Sequence, residues 1–187
     1  MDDAIVLALH EWASGNAAIS RVVSLVGEYG IFLLPLGLIG LWILPASGVS
    51  FRRTVLFALV PSFVVAVLLA VTFHFLVSRP RPFEVLGFVP LFPHYADTSF
   101  ASDHMLFGAA LIGPAVWASL KLGGGLVAWL VIIGLCRIAA GVHYPTDVVG
   151  SILLAVIPTV VAVQLVGMLE RATPGRSAPR GGSAADR

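Results

Sequence analysis

Histidine, arginine, serine and aspartate side chains cluster in three short segments of an otherwise apolar sequence. Ionisable side chains are costly in apolar surroundings, so where they occur they usually pair or belong to a functional site. Each cluster lies next to the end of an apolar stretch. In chain order the clusters contain His74, Arg79 and Arg81; Ser99, Ser102, Asp103 and His104; and Arg137, His143 and Asp147.

The arginines in these clusters indicate an anion site. A guanidinium group presents a planar fork of donors that matches two phosphate oxygens. Helix N-termini add to this, because their unpaired N–H groups attract anions. Ser102 or Ser99 can cap one helix, and Pro145 suits the first turn of another. The predicted phosphate-binding residues are Arg81, Arg137, Ser102, Asp103, His74 and Arg79.

The histidines indicate nucleophilic catalysis. His143 and Asp147 are four residues apart, and we expect the Asp147 carboxylate to accept one ring N–H of His143. The other ring nitrogen would then be free to attack phosphorus. His104 would protonate the leaving oxygen and later act as a base for water. The predicted catalytic residues are therefore His143, His104 and Asp147, and the scheme needs no metal ion and no other cofactor.

Two other interpretations of these residues stay open at this point. The pair of His143 and Asp147 could be a structural contact beside a helix start. Asp103, His104, His143 and Asp147 could instead bind zinc or iron, since imidazole and carboxylate groups suit those metals. The neighbouring arginines disfavour a metal, because they would repel a cation and attract an oxyanion.

The elements that must position these residues are membrane-spanning helices. Of the 187 residues, 58% are hydrophobic and only 11% are charged, whereas about a quarter are charged in soluble domains. The mean hydropathy is +0.98. We predict an all-α helical bundle with about five transmembrane helices in a membrane domain over 1–169. The predicted spans are 22–44, 54–77, 104–120, 125–141 and 147–169, after an interfacial helix over 4–14 and before a disordered tail over 170–187.

The placement of basic residues predicts the orientation of this bundle. Alternate connections between spans face opposite sides of the membrane, and Lys and Arg concentrate on the cytoplasmic side. One side carries Arg52, Arg53, Lys121, Arg171, Arg176, Arg180 and Arg187. We therefore expect the C-terminus in the cytoplasm and the three clusters at the outer face of the plasma membrane.

Composition also limits the partners of the chain. The formal net charge is +1, and Lys121 is the single lysine, so no basic stripe suits nucleic acid. Cys136 is the single cysteine, which excludes an intrachain disulfide. The expected partners are the bilayer and a membrane lipid substrate, and nothing in the sequence indicates an oligomeric state.

Taken together, the clusters resemble the three-part signature of the type 2 phosphatidic acid phosphatase superfamily. Arg81-Pro82 resemble its first part, Ser102 and His104 its second, and Arg137, His143 and Asp147 its third with the spacing intact. The sequence departs from the signature at four positions: His74 stands for lysine, Ala101 for proline, Asp103 for glycine and Cys136 for serine. Ser-Asp-His, Arg-Pro-Arg-Pro-Phe and Gly-Val-His-Tyr-Pro-x-Asp-Val look like the bacterial undecaprenyl pyrophosphate phosphatase branch.

This resemblance implies the following function. His143 would be the nucleophile, His104 the acid and Asp147 the residue that orients the nucleophile, with phosphate held by Arg81, Arg137 and Ser102. The substrate would be a polyprenyl pyrophosphate, hydrolysed to the monophosphate through a phosphohistidine. A phosphatase for phosphatidic acid or phosphatidylglycerophosphate, and a non-catalytic lipid-phosphate carrier or transporter, are the alternatives.

A few polar residues outside this scheme have weaker expectations. Asp103 could bind substrate or stabilise the dipole of the helix that it begins. Glu28 lies inside the first span and could snorkel, pair within the bundle or touch substrate. His10, His94 and Asp97 are expected to be solvated.

Overall fold

The structure, a computed structural model, describes residues 1–172 of the chain. Within that range the chain forms helices, turns and loops and no strand, which confirms the all-α prediction. The helices are α1 (Asp2–Ser14), α2 (Ala17–Tyr29), a 3-10 turn (Gly30–Phe32), α3 (Leu33–Ile43), α4 (Val49–Leu76), α5 (Pro82–Leu86), α6 (Asp103–Ala118), α7 (Leu120–Ala139), α8 (Pro145–Leu154) and α9 (Val156–Ala172).

Four helical stretches are long and apolar enough to cross a membrane, which makes this a multi-pass membrane protein. The α2–α3 pair forms one of them and the α8–α9 pair another; the four ranges are Ala17–Ile43, Val49–Leu76, Leu120–Ala139 and Pro145–Ala172. The predicted third span corresponds to α6, whose 16 residues rise only about 24 Å. A helix of that length reaches across the bilayer core only with support from its neighbours.

Helix α6 receives that support because it lies at the centre of the bundle. It packs against α3, α4, α7, α8 and α9. Its buried side chains include Met105, Leu106 and Ile112. A buried hydroxyl also fixes it to α4, since Ser62 Oγ donates to the Ala110 carbonyl at 2.8 Å. The start of α6, which carries Asp103 and His104, is therefore held firmly by the surrounding helices.

The helix ends differ from the prediction where side chains cap or extend them. Helix α2 begins five residues before the predicted span, because Asn16 Oδ1 accepts the N–H groups of Ala18 and Ile19 at 2.9 and 3.3 Å. Helix α9 continues to Ala172, beyond the predicted start of the tail at residue 170. The rest of the predicted disordered tail lies outside the described residues.

The N-terminal helix α1 packs on the end of the bundle that carries the clusters. Its 13 residues rise only about 20 Å, too short for a span. His10 was expected to be solvated, but the structure buries it. Its Nδ1 lies 3.1 Å from the Ala139 carbonyl, and its ring stacks on Phe88 with the centroids 4.1 Å apart.

A tight turn between α7 and α8 carries His143. Gly141 has a φ of +81°, and a Cβ atom there would lie 2.2 Å from the Phe88 ring, so only glycine fits. The Val142 N–H then donates to the Arg137 carbonyl at 3.2 Å. Pro145 begins α8, as the sequence predicts, because its fixed φ suits the first helical position.

Close packing of α6, α7 and α8 can be tested at Gly134. A Cβ atom there would lie 2.8 Å from Val148 and 3.0 Å from Met105. We expect Gly134→Leu to destabilise the protein by about 1–3 kcal/mol, because added bulk in a packed core forces its neighbours apart. Thermal unfolding in detergent should show this loss as a midpoint several degrees lower.

Gly125 provides the matched control on the same helix. Nothing lies within 4 Å of a Cβ atom at this position. Gly125→Leu should therefore leave the unfolding midpoint unchanged or raise it, because leucine favours helix more than glycine does. Equal midpoints for the two leucine variants would contradict the close approach of α7 to α8.

Candidate active site

The three polar clusters meet at one end of the bundle, around the ring of His143. This ring is 1% exposed and lies in the turn before α8. Its Nε2 is 3.1 Å from Arg137 Nη2 and 3.4 Å from Arg81 Nη1. The end of α7 supplies Arg137, and the segment just before α5 supplies Arg81.

The other nitrogen of His143 fixes its tautomer. Nδ1 lies 2.9 Å from the backbone carbonyl of Ser99. Because a carbonyl only accepts, Nδ1 must carry the proton and donate it. In the neutral ring, the lone pair then lies on Nε2 and is directed at the two guanidinium groups. This is the arrangement that a histidine nucleophile requires.

The predicted contact between Asp147 and His143 is wrong. Asp147 Oδ2 accepts from Ser99 Oγ at 2.6 Å and from the Tyr144 N–H at 2.9 Å. A spacing of four residues brings side chains together only when both residues are helical. His143 lies before Tyr144, the N-cap of α8, so the helical spacing does not apply and Asp147 reaches His143 only through Ser99.

Arg79 takes a different place from the one predicted for it. Its guanidinium group lies over the Tyr144 ring, 3.9 Å from the centroid. Nη1 donates to Asp147 Oδ1 at 2.6 Å, and Nη2 donates to Asp2 Oδ2 at 3.0 Å. Two carboxylates therefore neutralise this arginine, and it is directed at the far side of Asp147 rather than at His143. The predicted phosphate contact of Arg79 is corrected to an ion pair.

Arg81 is buried, and each of its three guanidinium nitrogens has a partner. Nη1 donates to the Val142 carbonyl at 2.8 Å, while Nε and Nη2 both lie 2.6 Å from Asp97 Oδ1. The expectation that Asp97 is solvated is wrong in this respect, because its carboxylate holds the Arg81 fork. Its side chain is still 43% exposed, so the pair lies at the mouth of the site.

Arg137 is buried as well and bridges two histidines. Nη1 donates to the Gly27 carbonyl at 2.9 Å, and Nη2 lies 3.1 Å from Nε2 of both His94 and His143. The His94 ring is edge-on to the His143 ring, with 6.2 Å between the centroids. His94 was expected to be solvated, and it instead lines the site.

Two buried donors in this region have no hydrogen-bond partner among the described residues. They are Ser102 Oγ and Arg137 Nε. Buried polar groups are nearly always paired in folded proteins, so unpaired donors beside arginines suggest where an anion would bind. The Ser102 N–H is already used, because it donates to Ser151 Oγ at 2.8 Å. Its hydroxyl is the group that remains free.

The remaining predicted residues lie around this centre. His104 Nε2 lies 3.2 Å from the Glu28 carbonyl and donates a hydrogen bond to it, so Nδ1 is the ring nitrogen that can exchange a proton with the substrate. Asp103 is the first residue of α6 and is exposed. His74 is exposed in the last turn of α4 and contacts the Phe75 ring. Within residues 1–172 neither Asp103 nor His74 forms a hydrogen bond to the site, and their predicted roles stay predictions.

The geometry also bears on the alternative metal site of Asp103, His104, His143 and Asp147. No group of three or more His, Cys, Asp or Glu side chains in the described part of the chain could hold a metal ion. Asp147 and His143 face different partners, which separates two of the four proposed ligands. The donor set therefore does not fit a resident metal.

Sequence reasoning missed the loop over 87–102, which folds back across the site. Its polar residues and prolines suggested a solvated loop, but Phe92 is buried. The Leu91 carbonyl accepts from Ser24 Oγ at 2.9 Å, and the Leu91 N–H donates to the Ala140 carbonyl at 3.2 Å. The apolar pair Leu91-Phe92 was the signal in the sequence that this loop returns to the bundle.

Burial and positive charge set the protonation of the two histidines outside the spans. Burial lowers the pKa of His143 well below its usual value, and the neighbouring Arg137 and Arg81 guanidinium groups lower it further. Burial, Arg81 and Arg137 also lower the pKa of His94. Both rings are therefore neutral in the ligand-free protein at neutral pH, and His143 is in its nucleophilic form.

A family comparison agrees with this geometry. A model of the PAP2 superfamily matches residues 54–171, a range that contains all three clusters. The chain belongs to the PAP2 superfamily. Its relatives include undecaprenyl-diphosphatase BcrC of Bacillus subtilis, which is 30% identical over 84% of this chain and 80% of the relative.

Two further PAP2 comparisons concern another relative and a solved structure. A Bacillus licheniformis protein named bacitracin transport permease protein BcrC is 36% identical over 74% of this chain and 68% of its own length. The crystal structure of a PAP2 type phosphatidylglycerolphosphate phosphatase from Bacillus subtilis superposes with a TM-score of 0.64 at 23% identity, covering 94% of this chain and 87% of that one. At this identity, the similarity to the solved structure shows the fold alone.

The protonation of His143 is open to direct measurement. At about pH 6, below the ordinary histidine pKa of about 6.5, its ring should still be neutral because burial and two guanidinium groups disfavour the cation. The ¹⁵N spectrum of histidine-labelled, ligand-free protein should show a protonated Nδ1 and an unprotonated Nε2, with the signal assigned by its loss in His143→Gln. A doubly protonated ring at this pH would contradict the assignment, and the urea-unfolded chain provides the reference for an unperturbed histidine.

Proposed function

We propose that this PAP2 protein hydrolyses the terminal phosphate of a polyprenyl pyrophosphate, undecaprenyl pyrophosphate above all, to the monophosphate. The observation that carries the proposal is the lone pair of His143 Nε2, which faces two buried guanidinium groups at 3.1 and 3.4 Å. A phosphoryl group bound between those arginines would meet the nucleophile directly. The superfamily match and the relative named an undecaprenyl-diphosphatase together make the protein a lipid phosphatase, and the identity of the lipid is the proposed part.

The reaction proceeds in two steps. His143 Nε2 attacks the terminal phosphorus, and the bond from phosphorus to the bridging oxygen breaks. The leaving oxygen, which stays on the lipid monophosphate, takes the Nδ1 proton of His104, which enters this step as the imidazolium and leaves it as the neutral ring. Water then attacks the phosphohistidine, gives a proton to His104 and releases inorganic phosphate, which restores neutral His143. Both steps balance without a metal ion.

The arginines stabilise the charge that develops in both steps. Phosphoryl transfer depends mainly on positioning and on positive charge around the equatorial oxygens. Arg81 and Arg137 would supply that charge, and the unpaired donors Ser102 Oγ and Arg137 Nε would complete the contacts. Arg137 would release His143 Nε2 as phosphate arrives, since both compete for Nη2.

The relatives support the choice of lipid. The Bacillus subtilis relative, 30% identical over most of both chains, is named an undecaprenyl-diphosphatase. The phosphatase for phosphatidylglycerolphosphate matches in fold at 23% identity, which does not carry its substrate to this chain. The relative named a transport permease raises the non-catalytic alternative, and the nucleophile His143 would have no use in a carrier.

The substrate assignment predicts an order of activities. Detergent-purified protein should release phosphate faster from undecaprenyl pyrophosphate than from phosphatidic acid or phosphatidylglycerophosphate, and excess EDTA should not reduce the rate. His143→Ala should abolish release from every lipid, because the nucleophile is lost. Thermal unfolding of the variant checks that it is folded.

Each alternative has its own outcome in this assay. Faster turnover of phosphatidylglycerophosphate would replace the proposed substrate. A strict requirement for a divalent metal would overturn the phosphohistidine mechanism. Full activity in His143→Ala would move the nucleophile elsewhere, and no turnover of any lipid by wild-type protein would support a carrier.

The proposed orientation places the site at the outer face of the plasma membrane and the C-terminus in the cytoplasm. The distribution of basic residues supports it, because Arg52 and Arg53 lie near the start of α4 and Arg171 lies in the last turn of α9, at helix ends away from the site. The substrate chain would stay in the bilayer while its pyrophosphate enters from the outer leaflet.

Accessibility labelling checks this orientation. A cysteine-free variant, Cys136→Ala, that carries one new cysteine after Arg187 should resist a membrane-impermeant maleimide in intact cells and react after lysis. A second cysteine variant, at exposed Val89 in the loop near the site, should react in intact cells. The reverse pattern would overturn the topology.

A further inference from the structure

Asp2 in the first turn of α1 reaches a residue that no part of the mechanism has yet used. Its Oδ2 accepts from Arg79 Nη2 at 3.0 Å and from the Thr146 hydroxyl. Arg79 lies 77 positions away along the chain, and Thr146 lies 144 positions away. The contact therefore joins α1 to the segment before α5 and to the start of α8.

From Arg79 a chain of hydrogen bonds, connected by the covalent bonds within Ser99, leads to the nucleophile. Arg79 Nη1 donates to Asp147 Oδ1 at 2.6 Å, and Ser99 Oγ donates to Asp147 Oδ2 at 2.6 Å. The Ser99 carbonyl then accepts the Nδ1 proton of His143 at 2.9 Å. We call this series, from Asp2 through Arg79, Asp147 and Ser99 to His143, the α1 relay.

We propose that Asp2 is a positioning residue for His143, whose ring orientation it maintains through the α1 relay. The inference rests on the proposed function only in taking His143 as the nucleophile. Asp2 does not reach the phosphate pocket itself. Its role is to keep Arg79 turned towards Asp147, so that Asp147 in turn keeps the Ser99 carbonyl beside Nδ1 of His143.

The electrostatics explain why a second carboxylate is needed. Arg79 lies beside a pocket built to attract anions, and a bound pyrophosphate would pull a lone guanidinium group towards itself. Asp2 opposes that pull by adding a second negative charge beside Nη2 of Arg79. Asp147 is fully buried, so loss of its partner would leave a carboxylate with an unmatched charge.

The effect should be moderate rather than complete. The side chains of Arg79 and Asp2 are 33% and 23% exposed, so solvent screens their attraction in part. The ring of Tyr144 and the Asp147 carboxylate would still hold Arg79 after Asp2 is neutralised. A loss of alignment therefore slows the attack step without removing the nucleophile.

Other residues also hold α1 against the bundle, so the positioning role of Asp2 can be tested without detaching the helix. Val6 and Ala13 are fully buried on the same helix, and His10 bonds to the Ala139 carbonyl. Asp3 provides a matched control, because it is exposed and has no hydrogen-bond or ion-pair partner among the described residues. Both residues lie in the first turn of α1 and interact alike with its dipole.

The experiment compares Asp2→Asn with Asp3→Asn in the full-length protein. For undecaprenyl pyrophosphate, Asp2→Asn should lower kcat about three- to tenfold while KM changes less, because Asp2 orients His143 and does not bind lipid. Asp3→Asn should match wild type, and Asp2→Glu should restore most of the rate. Equal kcat for the two asparagine variants would overturn the proposal.

A second readout needs no substrate and so separates this proposal from the proposed function. In ligand-free protein, the Nδ1 proton of His143 should exchange with water faster in Asp2→Asn than in Asp3→Asn, as followed by ¹⁵N-edited NMR. Unchanged exchange would overturn the relay even if the lipid is correctly assigned. Faster exchange would support the relay even if undecaprenyl pyrophosphate proves not to be the substrate.

A double-mutant cycle tests whether Asp2 acts through Arg79. In an Arg79→Gln background, Asp2→Asn should cause little further change in His143 exchange, because the link is already broken. Additive effects of the two substitutions would show that Asp2 acts by another route and would contradict the relay.

Discussion

Two buried guanidinium groups beside one neutral imidazole impose the main constraint on this structure. A buried cation is stable only if other groups replace the water that it has lost. Backbone carbonyls do much of this work, since Arg81 donates to Val142 and Arg137 donates to Gly27. Because carbonyls carry no net charge, the positive charge of Arg137 stays unpaired within residues 1–172, whereas Asp97 pairs with that of Arg81.

The architecture of the bundle follows from that need. Carbonyls with free lone pairs occur where helices end or turn, so the arginines lie where α7, α8 and the loop over 87–102 come together. Gly27 lets α2 approach α7 closely, with its carbonyl beside Arg137. The short helix α6 lies at the centre of the bundle, and its first turn lies at the same end as the arginines.

Much of this site could be predicted from the sequence, and the rest could not for clear reasons. The segments of Arg81, Arg137 and His143 could be predicted to lie on one side of the membrane, because that prediction requires only a count of the apolar spans between them. The expected contact between Asp147 and His143 failed because the spacing was treated as helical across a helix start. The positions of His94 and Asp97 depend on how a loop folds back, and no periodic pattern in a loop encodes that.

The contact between Asp97 and Arg81 has a consequence for selectivity. Since Asp97 already occupies the Arg81 fork, any anion that binds there must exchange with a carboxylate of the protein itself. The free energy of binding is then the difference between the ion pair that the anion forms with Arg81 and the ion pair that Asp97 gives up. A fatty acid would replace one carboxylate by another and gain almost nothing, whereas a multiply charged phosphate would gain from its additional charge. The resting site should thus disfavour singly charged membrane lipids before any chemistry begins.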